Sequence, residues 1–202
     1  MRELIIASHN LHKVRELKEM LSSIPDLEIS SLHPFPDYHL PQETGTTFEE
    51  NARLKARHAA RLLNKWVLAD DSGLVVPALN GAPGLYSARY AGKEATDKEN
   101  RKKLLAEMAG LQDLARSASF ECALALSSPD GHLRTTKGTC EGTIAIQEAG
   151  SNGFGYDPLF IPHDYRKTFA QLDESTKNRV SHRRKALDKI LPHLECLERV
   201  LN

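Results

Sequence analysis

The chain has 202 residues, 40% hydrophobic and 27% charged. That suffices for one large domain or two small lobes with a core that needs no disulfide staples. Its 27 basic and 27 acidic residues cancel, which argues against a nucleic-acid coat or a polybasic membrane binder. No stretch approaches the roughly 20 apolar residues of a membrane helix. The N-terminal run Leu4-Ile5-Ile6-Ala7 is too short for a signal-peptide core. Cys122, Cys140 and Cys196 form no C-x-x-C pair and read as reduced thiols of a cytosolic protein.

In chain order, Leu4 to Ala7 reads as a buried strand. Val14, Leu17, Met20 and Leu21 have helical spacing, so the chain opens strand, polar loop, helix. Pro34, Pro36 and Pro41 make residues 33–43 an irregular loop. Thr47 to Glu50 fits a capping box, and its helix runs to about Leu63. Trp66 to Ala69 is a second buried strand, expected to end at Asp70-Asp71-Ser72-Gly73. A glycine-rich loop over 81–92 precedes a charged helix, about Asp97 to Met108. Ser119–Leu126 alternates and returns through Pro129-Asp130-Gly131 to Leu133–Cys140, a hairpin. Residues 149–158 form another glycine-rich loop. Ser181–Leu191 is a basic helix that Pro192 should kink or break, before a closing turn with Leu194, Leu197 and Leu201. Strand–helix units beside a hairpin predict an α/β fold with a mixed sheet.

Five places can carry chemistry, and each also fits a plainer reading. The loop Ser8-His9-Asn10-Leu11-His12-Lys13 joins a strand to a helix N-terminus, where backbone N–H groups attract anions. It lacks the glycines of a Walker loop, and an ordinary polar loop looks the same. Asp70 and Asp71 lie at an expected strand end, where ligands of open α/β sheets gather. Successive strand residues face opposite ways, so the two aspartates should do different jobs. One suits Mg²⁺ coordination or deprotonation of water; the dipeptide alone fits a solvated turn or a helix cap better. Glu43 precedes a helix start, as simple dipole complementation would, and matters if it converges with Asp71. Asn51 and Lys55 share a face of the helix that follows. In Gly153-Phe154-Gly155-Tyr156-Asp157-Pro158, two glycines permit unusual backbone geometry, and two aromatics offer surface for a planar base or simply fill a tight loop. Lys177 to Lys185 holds five bases and a histidine without an acid. If Ser181 caps a helix, His182 and Arg183 oppose its dipole, and an anionic ligand would compensate.

Together these segments, with Glu43-Thr44-Gly45-Thr46-Thr47-Phe48, Asn51-Ala52, Ala82-Pro83-Gly84 and Ser87-Ala88-Arg89-Tyr90, resemble the Ham1-like family of inosine/xanthosine triphosphate pyrophosphatases. They occur in the family's order and span nearly the whole chain, so residues 1–202 are expected to be one nucleoside-triphosphate pyrophosphatase domain with nothing added. The resemblance implies an elongated mixed twisted sheet with flanking helices, in two lobes around a central cleft. It implies Mg²⁺-dependent hydrolysis of ITP, dITP and XTP to the monophosphate and pyrophosphate, by a cytoplasmic homodimer that binds neither nucleic acid nor membrane. By motif, Asp71 is the general base, and Glu43 and Asp71, with Asp70, are the metal carboxylates. Ser8, His9, Asn10, Leu11, His12, Lys13, Lys55 and Ser72 hold phosphates. Phe154, Gly155, Tyr156, Asp157, Lys177, His182 and Arg183 hold the base and its neighbours. His9 and His12 stand where many relatives have small residues.

The chemistry fits independently: a triphosphate needs Mg²⁺ and lysines before water can attack it. Telling inosine from adenosine needs a donor facing the 6-oxo group, from His182, Arg183 or a backbone N–H near Phe154. A Maf-like pyrophosphatase of other specificity, an orthophosphate-releasing phosphatase and a non-catalytic nucleotide sensor remain as alternatives.

Overall fold

Strand β1, Arg2–Ile6, fixes the architecture of the first half of the chain. Leu4, Ile5, Ile6 and the following Ala7 are all fully buried, and alternation along the strand divides them between two faces. Leu4 and Ile6 join Val14, Leu17 and Leu21 of helix α1 (Leu11–Leu21) and Ala186, Leu187 and Ile190 of helix α5 (His182–Glu195). Ile5 and Ala7 join Ala52, Ala56, Ala59 and Ala60 of helix α2 (Phe48–Leu63). The computed structural model, which describes residues 2–195, therefore has a sheet covered on both faces here. Alanine lines the α2 face from both sides, so that helix lies close to the strands.

The sheet is mixed, as the alternation of strands and helices suggests, with six strands in the order β2-β1-β3-β4-β5-β6. β2 (Leu27–Ser31) and β3 (Trp66–Val75) both pair with β1 in parallel. β4 (Ser117–Ser127) and β5 (Leu133–Ile144) form the expected hairpin arms and are sheet neighbours. β6 (Phe160–Pro162) pairs antiparallel with β5. Gly142 faces β6 so closely that a Cβ would come 2.2 Å from the Ile161 carbonyl oxygen.

By contacts the chain divides into two compact units. One gathers the residues up to Asp71, Cys122–Gly138 and those from Arg183 onward. The other is Ser72–Glu121 with Thr139–His182. The second unit contains helix α3 (Asp97–Glu107) and helix α4 (Glu174–Val180). Its core is built on Phe120, Phe160 and Phe169, with ring centroids 4.7 Å (Phe120 to Phe160) and 5.1 Å (Phe160 to Phe169) apart.

Three local expectations differ from what forms. β3 does not stop at Ala69 but runs through Asp70-Asp71-Ser72-Gly73 to Val75, because both carboxylates find partners inside the fold. Thr47 caps α2 by accepting the Glu50 N–H at 3.1 Å, yet Glu50 turns to Thr46 instead of closing a box. The Thr46 N–H and hydroxyl, at 2.6 and 2.9 Å, offer its carboxylate two donors at once. α5 continues past Pro192 to Glu195. A proline disturbs the turn before it, but Leu194 beyond it is buried with Leu187 and Ile190, and that burial carries the helix on. β2 and α4 were not anticipated. Cys196, Leu197 and Leu201 lie outside the described residues.

The irregular segment before α2 is tied down by Tyr38, whose hydroxyl is 2.9 Å from His58 Nδ1. Burial pushes the Tyr38 phenol up to about 12. Folding therefore favours the neutral phenol: its contribution is full below the ordinary value of about 10 and is lost as pH rises through the folded value. Tyr38→Phe should flatten part of the fall in stability between these limits, read from urea unfolding at successive pH values. An unchanged slope would contradict this placement.

Candidate functional site

Alternation along β3 separates the two aspartates. Leu68 points to the α1 and α5 face, and Val67 and Ala69 point to the α2 face. Asp70 therefore joins the first set and Asp71 the second.

Asp70 is 1% exposed. Its Oδ2 accepts from Arg183 Nε at 3.0 Å and from the Cys122 thiol at 3.1 Å, and its Oδ1 is 2.5 Å from Lys13 Nζ. Arg183, also 1% exposed, pairs through Nη1 with Glu16 of α1. The result is a row of alternating charge, Glu16, Arg183, Asp70, Lys13, in which all but the partly exposed Lys13 are buried. Burial alone would raise the Asp70 carboxyl, but Arg183 and then Lys13 outweigh it and hold it well below the usual range. Asp70 therefore already answers two cations, a guanidinium and an ammonium group, and the metal role anticipated for it would have to compete with both. The anion expected to compensate the cations at the start of α5 proves to be the protein's own, since Asp70 and Glu16 flank Arg183.

Asp71 is placed differently. Oδ1 accepts from Lys55 Nζ at 2.9 Å and Oδ2 from Asn51 Nδ2 at 3.2 Å. Lys55 Nζ also donates to Glu43 Oε1 at 2.9 Å, so the convergence of Glu43 with Asp71 is realised on one ammonium group. Asn51 and Lys55 do share a helical face, and Asn51 Oδ1 also accepts the Gly45 N–H at 2.8 Å, fixing the segment that carries Glu43. Burial pushes the Asp71 carboxyl up, and Glu43 adds to it, against the pull of Lys55 and Lys13. Lys55 keeps its proton more firmly than usual: burial opposes this, but Asp71 and Glu43 prevail. The adjacent carboxylates are thus pushed in opposite directions, as two different environments require.

The first loop is ordered by its own side chains. Ser8 Oγ accepts from the Asn10 N–H at 3.1 Å. Asn10 Oδ1 accepts from the N–H groups of His12 and Lys13 at 3.0 and 3.2 Å, capping α1. Three N–H groups expected to face an anion are thus satisfied within the loop. His9, Leu11 and His12 are exposed. Ser72 follows Asp71 on β3.

In the second unit, Asp157 Oδ2 accepts from the Phe154 N–H at 2.8 Å and from Lys177 Nζ at 2.5 Å. Lys177 Nζ sits 4.8 Å from the centroid of the half-buried Phe154 ring, within cation–π range. Gly153 is required here: at φ +75° a Cβ would stand 2.0 Å from Asp157 Oδ2. The Gly155 N–H donates to Asp97 Oδ2 at 2.7 Å. The backbone N–H groups of Phe154 and Gly155, considered as donors to a base, are therefore already engaged. Tyr156 is not a stacking surface. It is buried in the phenylalanine core, and its hydroxyl donates to the Ser87 carbonyl at 2.9 Å. The His182 ring stacks on Phe120 at 4.8 Å and 11°.

Four participants escaped the sequence reading: Glu16, Cys122 and Asp97 as site residues, and Asn51 in its role. The position of Glu16 on the buried face of α1, between Val14 and Leu17, is the one signal that could have singled it out.

Among the described residues no group of three or more His, Cys, Asp or Glu side chains is arranged to hold a metal by itself. Glu43 and Asp71 nevertheless place two carboxylate oxygens around one centre of positive charge. An all-oxygen pair of this kind suits Mg²⁺, which commonly takes one or two protein carboxylates and completes its shell with phosphates and water.

A model of the Ham1 family matches residues 4–193. A dITP/XTP pyrophosphatase of Protochlamydia amoebophila is 58% identical over 196 residues, covering 96% of this chain and 98% of its own. Among solved structures, the Ham1 protein of Staphylococcus aureus superposes with a TM-score of 0.85 at 45% identity, covering 96% of this chain and 98% of its own. A HAM1 protein of Coxiella burnetii does so with a TM-score of 0.86 at 43% identity and the same coverage of both chains.

Removing the charge of Asp70 strands a buried guanidinium, whereas Asp71 borders a single ammonium group. Asp70→Asn should lower the unfolding free energy by about 3–5 kcal/mol, the range for breaking a buried ion pair. Asp71→Asn should have a much smaller effect. Urea unfolding of both variants checks this, and equal losses would contradict it.

Proposed function

The chain belongs to the Ham1 family, and from that premise we propose that it hydrolyses dITP, ITP and XTP to the monophosphate and pyrophosphate, with Mg²⁺. The observation that carries this reading is the convergence of Glu43 and Asp71 on Lys55 Nζ, beside an Asp70 committed to Arg183 and Lys13.

In this reading Glu43 and Asp71 hold Mg²⁺, which supplies charge neutralisation at the phosphates when bound. Lys13, Lys55, Ser72 and the loop Ser8, His9, Asn10, Leu11, His12 hold the triphosphate. Asp71 accepts a proton from the attacking water on a carboxylate oxygen. Its raised proton affinity suits a general base better than that of Asp70. Water adds to the α-phosphorus, the bond to the bridging αβ oxygen breaks, and pyrophosphate leaves. Asp70 orients Lys13 and Arg183 and takes no metal.

Phe154 stacks on the purine, and Lys177, Asp157 and His182 surround it. Since the Phe154 and Gly155 N–H groups serve Asp157 and Asp97, the donor to the 6-oxo group falls to a side chain: Lys177, His182 or Arg183. Adenine would bring an amino group to that donor and leave it unpaired when buried. A mismatch of this kind can be worth a factor of about 10⁴–10⁵. We place the protein in the cytoplasm as a homodimer that cleanses the nucleotide pool. Cys122 and Cys140 are buried and joined in no disulfide, which suits a reducing compartment, and no helix among the described residues is long and apolar enough to cross a membrane.

Incubation with dITP, ITP, XTP, dATP, ATP and UTP in Mg²⁺ should give pyrophosphate from the first three and leave ATP nearly untouched. Orthophosphate as first product, or equal turnover of ATP, would overturn the reading. Asp71→Asn should cost about 10²–10⁴ in kcat, the usual weight of a general base, in a protein that stays folded. A near-normal rate would remove Asp71 from that role.

A further inference from the structure

Helix α3 is unusual in what holds it. Of its eleven residues only Asn100 and Leu104 are buried, and its apolar docking is confined to its C-terminal end, where Leu104, Leu105 and the capping Met108 reach the phenylalanine core. It is tied by polar contacts to two loops. Asn100 Nδ2 donates to the Ala88 carbonyl at 3.1 Å, Asn100 Oδ1 accepts the Ala91 N–H at 2.7 Å, and Lys103 Nζ donates to the Tyr90 carbonyl at 2.8 Å. These three fix the segment after β3.

The other side of the helix reaches the aromatic loop. Asp97 and Arg101, one turn apart and so on one face, grip a single residue. Asp97 Oδ2 accepts the Gly155 N–H at 2.7 Å, and Arg101 Nη1 donates to the Gly155 carbonyl at 2.9 Å. Both contacts are charge-assisted, hence among the stronger hydrogen bonds available to a backbone. Arg101 Nε is steadied in turn by Glu148 Oε1 at 3.0 Å, at the start of the same loop. Asp97 is fixed by the reciprocal cap between Thr96 and Glu99, which defines where α3 begins.

Gly155 is in the left-handed region, φ +58°, a conformation open to glycine without penalty and therefore not self-fixing. Its neighbour Phe154 carries the ring that Lys177 faces, and Asp157 holds the Phe154 N–H. With Asp157 on one side and the Asp97–Arg101 pair on the other, rotation about the 154–155 peptide is closed off.

We propose that Asp97 and Arg101 are positioning residues for base recognition: by gripping Gly155 at both backbone polar groups they set the orientation of the Phe154 ring that receives the purine. The inference rests on the assignment of the Phe154 loop to the base. Neither residue touches the nucleotide. Both act through the loop, so their loss should weaken base binding while sparing phosphate binding and the chemical step.

The test uses the full chain with dITP and Mg²⁺. Asp97 is exposed, so Asp97→Ala should fold. The expected result for Asp97→Ala and for Arg101→Ala is a KM for dITP raised about tenfold with kcat little changed, the signature of lost uniform binding. Inhibition by inorganic tripolyphosphate, which has no base, should be unaltered in both. Asp97→Asn keeps an acceptor oxygen and should recover most of the affinity, which a general loss of helix stability would not permit. An unchanged KM in both alanine variants, while Phe154→Ala raises it, overturns the grip and leaves the base assignment standing. Equal weakening of dITP and tripolyphosphate overturns it as well, because the helix would then act on the whole protein. An unchanged KM in Phe154→Ala refutes the base assignment, and the inference with it.

Discussion

Arg183 and Asp70 form an ion pair almost wholly removed from water, 113 residues apart in sequence. Buried charges are costly unless every neighbour compensates them, and here the compensation runs outward in both directions. Glu16 closes the far side of the guanidinium, Lys13 the far side of the carboxylate, and the Cys122 thiol donates to the oxygen that Arg183 shares. Through these contacts α1, β3, β4 and the start of α5 are fixed to one another. The loop before α1 inherits that order, since Lys13 reaches back from its first turn. The interaction therefore does more for placement than for stability, and it leaves Asp71, on the opposite face of the same strand, as the carboxylate whose surroundings favour taking up a proton.

The two faces of β3 thus serve two ends. On one, a long arginine and two acids fill space that hydrophobic residues could fill. On the other, a run of alanines lets α2 approach until Asn51 and Lys55 reach Asp71. Small side chains and a polar pair at i and i+4 are two aspects of one solution: the helix must be near for the ammonium group to sit between Glu43 and Asp71.

Much of this was legible in the chain. A short apolar run located β1, alternating apolar residues located β4, the Thr47 hydroxyl located the start of α2, and strand alternation alone implied different duties for Asp70 and Asp71. The order of short motifs carried the family. What sequence could not show depends on distant partners. β3 was expected to end where polar residues begin, because nothing local reveals that Arg183 and Lys55 await them. β2, with Leu27-Glu28-Ile29-Ser30-Ser31, is a half-exposed edge strand and has too little apolar pattern to stand out. α3 read as a charged helix, which its composition supports; that two of its charges clasp Gly155 is a fact of tertiary placement. The cations at the head of α5 did signal a missing anion, but the sequence had no means of saying that the anion was internal.

The division of labour between the neighbouring aspartates can be read directly from their ionisation. Carbon-13 labelling of aspartate side chains in the full chain, with Asp70→Asn and Asp71→Asn for assignment, allows both carboxyl groups to be titrated by NMR without metal. Asp70 should remain ionised to well below the ordinary carboxylate range, and Asp71 should take up its proton at a higher pH than an ordinary aspartate. The reverse order, or two unshifted titrations, would contradict the view that one anchors the fold and the other serves the reaction.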